Sequence, residues 1–110
     1  MEIRFRTKHL EKLANDPKYC QVKLGAKGAK EFLKRINALY DADTLEDVRN
    51  LPGRFHELKV NRKGQWACNL EHPYRLIFVP TAYPIPSDDD GKYIWLDIIE
   101  VEIINMEDYH

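Results

Sequence analysis

The chain has 110 residues, of which 44% are hydrophobic, and a formal net charge of −1 at pH 7. This length is typical of one domain with a single hydrophobic core, so one domain over residues 1–110 is predicted. No run of about 18 apolar residues occurs and the N-terminal residues lack a signal-peptide pattern, so we expect a cytoplasmic protein without a membrane-spanning helix.

Four patterns in the N-terminal half predict secondary structure. Alternating apolar residues predict a strand, and Thr7 is a suitable N-cap for the short amphipathic helix that follows it. Apolar residues at three- and four-residue spacing predict a longer helix, and a Thr-x-x-Asp sequence predicts a capped helical turn. In chain order these elements cover residues 2–6, 7–14, 26–40 and 44–47.

The second half of the chain has β patterns. Strands are predicted over residues 55–58, 65–70, 74–79 and 92–104, with a turn at 61–64 and a Pro- and Asp-rich loop at 80–91. We therefore predict an α+β fold in which an N-terminal strand and helices pack on a mainly antiparallel sheet of four to five strands. The aromatic residues expected in its core are Trp66, Tyr74, Phe78 and Trp95.

Charged residues are distributed unevenly along the chain. Residues 1–75 carry 16 basic and 10 acidic side chains, a balance of +6, whereas residues 76–110 carry one basic and eight acidic side chains, a balance of −7. A near-neutral total is therefore compatible with a basic face that binds phosphates.

Metal binding and disulfide formation are not expected. Cys20 and Cys68 are 48 residues apart without a CxxC spacing, which favours reduced, partly buried thiols. The four histidines have no metal-ligand spacing either, so no metal site is predicted.

Basic residues cluster at the predicted hairpin. Lys59, Arg62 and Lys63 fall within five residues, and Arg75 lies on the next strand. Adjacent antiparallel strands could bring these cations to one face to hold phosphates, although an exposed, inactive basic turn is the alternative. His56 precedes Lys59 by three residues, so the two would point to opposite faces of a regular strand.

The apolar run from Tyr93 to Met106 is expected to hold the C-terminal residues Asp108, Tyr109 and His110 against the sheet. A tyrosine–histidine pair delivered by a strand could perform acid–base chemistry, and an ordered but inactive tail is the alternative.

Several motifs, in this order along the chain, resemble the RelE/ParE superfamily of bacterial toxins, and within it the HigB-like plasmid-maintenance killer proteins. The residues that carry the resemblance are Leu51-Pro52-Gly53, His56-x-Leu58-Lys59-x-x-Arg62-x-Gly64-x-Trp66, Tyr74-Arg75-Leu76-Ile77-Phe78 and Glu107-Asp108-Tyr109-His110. The resemblance implies a RelE-like fold and a ribosome-dependent endoribonuclease that cleaves translated mRNA in the ribosomal A site without a cofactor. It further implies a helix-turn-helix antitoxin of the HigA type, in a hetero-oligomer with the toxin, and the 70S ribosome as partners.

The resemblance also assigns site residues. It links His56, Lys59, Asp108, Tyr109 and His110 to catalysis. Arg62 and Arg75 match basic positions near the scissile phosphate, and Lys63 is a further candidate for phosphate binding.

Two features depart from the family pattern. Val60 stands where glycine is usual, and a β-branched residue is unfavourable wherever φ must be positive, so it is expected to weaken the toxin. The loop at 80–91 is longer than the tight hairpin expected in the family. Two other functions therefore remain open at this point: a ParE-like inhibitor of DNA gyrase, and a toxin-fold protein that has lost its activity.

Overall fold

The computed structural model describes residues 1–108. In it, two helices and three short 3-10 helices accompany five strands. The helices are α1 (Lys8–Asn15) and α2 (Pro17–Asp41), and the 3-10 helices cover Leu45–Asn50, Val60–Arg62 and Trp95–Asp97. The strands are β1 (Glu2–Phe5), β2 (His56–Glu57), β3 (Trp66–Asn69), β4 (Tyr74–Pro80) and β5 (Glu100–Asp108).

The five strands form one sheet in the order β1-β5-β4-β3-β2. β1 pairs in parallel with β5, and the other three pairings are antiparallel. Both helices pack on one face of this sheet, and the core between them includes Leu13, Phe32, Ile36, Trp66, Leu76, Phe78 and Ile103. The predicted α+β fold with a mainly antiparallel sheet is confirmed.

The helix starts follow from capping residues. The hydroxyl oxygen of Thr7 accepts a hydrogen bond from the Leu10 N–H at 3.1 Å, as predicted for α1. The Asp16 carboxylate accepts one from the Tyr19 N–H at 3.0 Å and Pro17 occupies the first turn, so α2 begins at Pro17 rather than at residue 26. Gly25, with φ of 78°, interrupts the helix, and the predicted helix is the part that follows this break.

The prediction of a strand over residues 92–104 is wrong in its first part. Trp95 and Ile98 are buried, whereas Leu96 and Ile99 are 61% and 66% exposed. Two buried residues three apart are the pattern of a 3-10 turn, which covers Trp95–Asp97, and the strand begins only at Glu100.

Two smaller predictions also have clear outcomes. Cys20 and Cys68 are free and buried, as expected, and burial raises the pKa of the Cys68 thiol to about 12. Trp66, Phe78 and Trp95 are in the core, but Tyr74 is 47% exposed because it lies at the end of β4. Across residues 1–108, none of the helices has the length and hydrophobicity that crossing a membrane requires.

Candidate functional site

The face of the sheet that points away from α1 and α2, which we call the distal face, carries the site. Side chains alternate along β4, so Leu76 packs in the helix-side core while its neighbour Arg75 points to the distal face. Arg75 pairs with Glu107 on β5, and directly paired residues share a face. His56 pairs with Ala67, and Ala67 pairs with Ile77, which is two residues from Arg75 on β4. His56 therefore also lies on the distal face.

Arg62 and Arg75 meet at the carboxylate of Glu107. Arg62 donates through Nη1 to Oε1 at 2.8 Å and through Nη2 to Oε2 at 3.3 Å. Arg75 donates to Oε1 through Nε at 2.9 Å and lies with its Nη2 2.7 Å from the same oxygen. Arg62 also donates a third hydrogen bond, from Nε to the Gln65 side-chain oxygen at 3.0 Å, and this bond fixes the plane of its guanidinium group. The predicted convergence of hairpin and strand cations therefore occurs for these two arginines.

This cluster is partly shielded from solvent. The side chains of Arg62, Arg75 and Glu107 are 33%, 17% and 21% exposed. Hydrogen bonds from Arg62, and secondarily from Arg75, lower the pKa of Glu107 although partial burial acts to raise it. Glu107 is therefore ionised at neutral pH, and its carboxylate is shared by two guanidinium groups, a type of group that is suited to binding a phosphate.

The turn that carries Arg62 has a strained backbone. Val60 begins the 3-10 helix Val60–Arg62 with φ of 60° and its side chain is 90% exposed. The left-handed region disfavours residues with a Cβ atom, and β-branched residues most of all. The expectation that position 60 requires a positive φ is met, and Val60 places strain two residues from Arg62.

The loop at 81–91 contacts this turn. Gly64 is buried with φ of 95°, and a Cβ atom at this position would lie 3.1 Å from Cδ1 of Ile85. Beyond the end of this loop, the ring centre of Tyr93 lies 5.2 Å from the Nζ of Lys63, which is in the same turn as Gly64. The loop therefore packs against one side of the turn that carries Arg62.

Replacing Val60 with glycine is expected to stabilise the protein. Relief of the left-handed strain is worth about 1–2 kcal/mol, and the greater flexibility of unfolded glycine offsets roughly 0.5–1 kcal/mol of it. The midpoint of urea unfolding should rise with an unchanged slope. Val60→Ala, which keeps the Cβ atom, is the matched control, and a lower midpoint for Val60→Gly than for Val60→Ala would contradict the assignment of strain.

The structure also gives the surroundings of three other predicted site residues. Lys59 is exposed and precedes the 3-10 helix, and Nδ1 of His56 lies 2.8 Å from the Arg54 carbonyl oxygen. Asp108 pairs with Tyr74, so alternation along β5 places it on the opposite face from Glu107. The predicted roles of Tyr109 and His110 fall on residues outside the described part of the chain.

Glu107 was not predicted as a site residue. The only sequence signal for it is an acidic residue near the end of the last strand, two positions before the Tyr109-His110 pair. Its importance follows from the register, which places it directly opposite Arg75.

Comparisons with known proteins give a result at the level of the fold. No protein-family model matches the chain, and no curated protein matches it in sequence. Among solved structures, the YoeB/ParE toxin from Agrobacterium tumefaciens is similar, with a TM-score of 0.50 and 13% identity over 100% of both chains. The YoeB dimer from Staphylococcus aureus has a TM-score of 0.46 and 23% identity, covering 100% of this chain and 97% of that one. The chain has the RelE-like fold of YoeB/ParE-type toxins.

Proposed function

We propose that this protein is a HigB-like toxin of a type II toxin–antitoxin system that cleaves translated mRNA in the ribosomal A site. The observation that carries the proposal is the meeting of Arg62 and Arg75 at the Glu107 carboxylate on the distal face. Two fixed guanidinium groups are suited to the extra negative charge that forms at phosphorus during RNA cleavage.

RNA supplies its own nucleophile for this reaction. The ribose 2′-oxygen bonds to the adjacent phosphorus, its proton passes to a general base, and the bond from phosphorus to the 5′-oxygen breaks as that oxygen takes a proton from a general acid. We assign one of these proton transfers to His110, orientation of the nucleotide to Tyr109, and charge stabilisation to Arg62 and Arg75. His56 lies on the same face as Arg75 and is the second candidate for proton transfer.

The proposal includes the partners of such a toxin. A helix-turn-helix antitoxin of the HigA type would neutralise the protein in a hetero-oligomer, and the ribosome with its mRNA would be the substrate complex in the cytoplasm. The name of the similar structure from Agrobacterium tumefaciens, a YoeB/ParE toxin, supports this class of function.

Primer extension on ribosomes programmed with a defined A-site codon tests the proposal. New 5′ ends within that codon are expected when protein and ribosomes are both present. Their absence without ribosomes would show that the ribosome is required, and ends that appear equally on free mRNA would contradict A-site cleavage. The same protein should not affect DNA supercoiling by gyrase. Inhibition of supercoiling without mRNA cleavage would instead favour the ParE-like function.

Val60 favours one variant of this proposal, in which the chain is an attenuated nuclease. The strained turn at Val60 lies two residues before Arg62, whose position matters for the phosphate. Val60→Gly should therefore increase both A-site cleavage and growth inhibition at matched expression. If Val60→Gly and the parental protein are equally silent in both assays, a non-catalytic toxin-fold protein becomes the better interpretation.

A further inference from the structure

The carboxylate of Glu107 joins two elements that are distant in sequence. Glu107 lies on β5, Arg75 on the neighbouring β4, and Arg62 in the turn between β2 and β3. The two ion pairs span 32 residues for Arg75 and 45 residues for Arg62. Glu107 thus connects the turn to the central strands of the sheet.

The geometry constrains Arg62 more than a single ion pair would. Three of the five N–H donors of its guanidinium are directed to Gln65 and to both oxygens of Glu107. Contact on two edges of the planar group fixes its orientation as well as its position. The contact with Glu107 connects this turn, which includes the strained Val60, to the regular strand β5.

The same carboxylate holds two like charges close together. Oε1 of Glu107 lies 2.8 Å from Nη1 of Arg62 and 2.7 Å from Nη2 of Arg75. Two guanidinium groups repel each other at such spacing, and the shared carboxylate compensates this repulsion. Without it, the long arginine side chains would separate into solvent.

We propose that Glu107 is a positioning residue that holds Arg62 and Arg75 in one fixed arrangement for the scissile phosphate. This inference rests on the proposed nuclease function. It assigns Glu107 an effect on the rate of the chemical step, and it predicts that the negative charge of Glu107 does not assist RNA binding.

The test is the variant Glu107→Gln, which keeps the size of the side chain and removes its charge. Its single-turnover cleavage rate on programmed ribosomes should fall by about 10- to 100-fold, since small displacements of catalytic groups have effects of this size. Its half-saturating ribosome concentration should stay equal or decrease, because the site gains one positive charge. Glu102→Gln is the matched control, since Glu102 is also on β5 and accepts a bond from Arg6 at 2.9 Å outside the site.

A second variant keeps the test valid if Glu107→Gln folds poorly. Glu107→Asp retains the charge but shortens the side chain, and its cleavage rate should lie between those of the parental protein and Glu107→Gln. Thermal unfolding of each variant reports the folded fraction, and the cleavage rate is expressed per folded molecule.

The outcomes separate this inference from the proposed function. If Arg75→Ala cleaves more slowly than the parental protein but Glu107→Gln cleaves at the parental rate, the positioning role is overturned and the nuclease function remains intact. Equal losses of rate and ribosome affinity in Glu107→Gln would assign Glu107 to binding and also overturn it. A protein that cleaves no A-site mRNA, even as Val60→Gly, would overturn both.

Discussion

Arg75→Ala is expected to slow A-site cleavage by about 10²–10³-fold, the usual effect of removing one preorganised donor to a developing oxyanion. Arg75 is 17% exposed and lies on β4, which pairs with β5 from Tyr74 to Pro80. The charge of Arg75 is therefore held in place before substrate arrives. Preorganised charge of this kind needs no rearrangement during the reaction, and its loss affects the rate more than binding. Arg62→Ala should have an effect of similar size.

Single-turnover primer extension measures this effect, and Arg6→Ala is the matched control. Arg6 is also paired to a β5 carboxylate, that of Glu102, but it is 54% exposed and follows β1 at the other side of the sheet. Arg62 and Arg75 share Glu107, so the double variant should lose less activity than the product of the two single losses. A cleavage rate for Arg75→Ala equal to that of Arg6→Ala would contradict the assignment of Arg75 to the phosphate.

His110→Ala is expected to reduce cleavage by about 10²–10⁴-fold, the contribution of a positioned acid or base. The expectation derives from the resemblance to HigB-like toxins and from the course of β5, which runs as far as Asp108, two residues before His110. Thermal unfolding of the variant, measured alongside, reports the folded fraction to which the cleavage rate is referred.

The pH dependence of the cleavage rate gives a second measurement for His110. Loss of one limb of the pH–rate profile should accompany the loss of rate in His110→Ala. His9→Ala is the control, since His9 lies on α1 and bonds to the Tyr19 hydroxyl at 2.7 Å. If His110→Ala keeps both the parental rate and the parental pH profile, the proton-transfer role passes to His56.

Sequence patterns predicted the fold where local rules dominate. Thr7 as an N-cap, the apolar stripe of α2 after Gly25 and the strands β3 and β4 all follow from local spacing and capping. The convergence of Arg62 and Arg75 also followed, because neighbouring antiparallel strands bring such residues to one face.

Other parts of the structure depend on tertiary contacts that spacing does not reveal. The apolar residues over 93–98 have the pattern of a strand. In the structure, however, this segment includes one turn of 3-10 helix, and Trp95 and Ile98 are buried in the core. Glu107 was missed because its role follows from register, in which β5 pairs Glu107 with Arg75 after an irregularity at Ile77 and Phe78. Asp108 points to the face opposite to that of Glu107 for the same reason: it is the next residue on β5, and successive residues on a strand point to opposite faces of the sheet.

The parallel pairing of β1 with β5 has a consequence for how the protein is made. Glu2 lies opposite Glu100, so the first strand finds its partner only after the segment that contains Glu100 has been synthesised. β5 separates β1 from β4 in the sheet, and contacts of such long sequence separation form slowly. During synthesis, the sheet and the Arg62–Glu107–Arg75 cluster therefore remain incomplete until β5 has left the ribosome. A nascent chain in which β5 has not yet paired with β4 therefore lacks the assembled cluster.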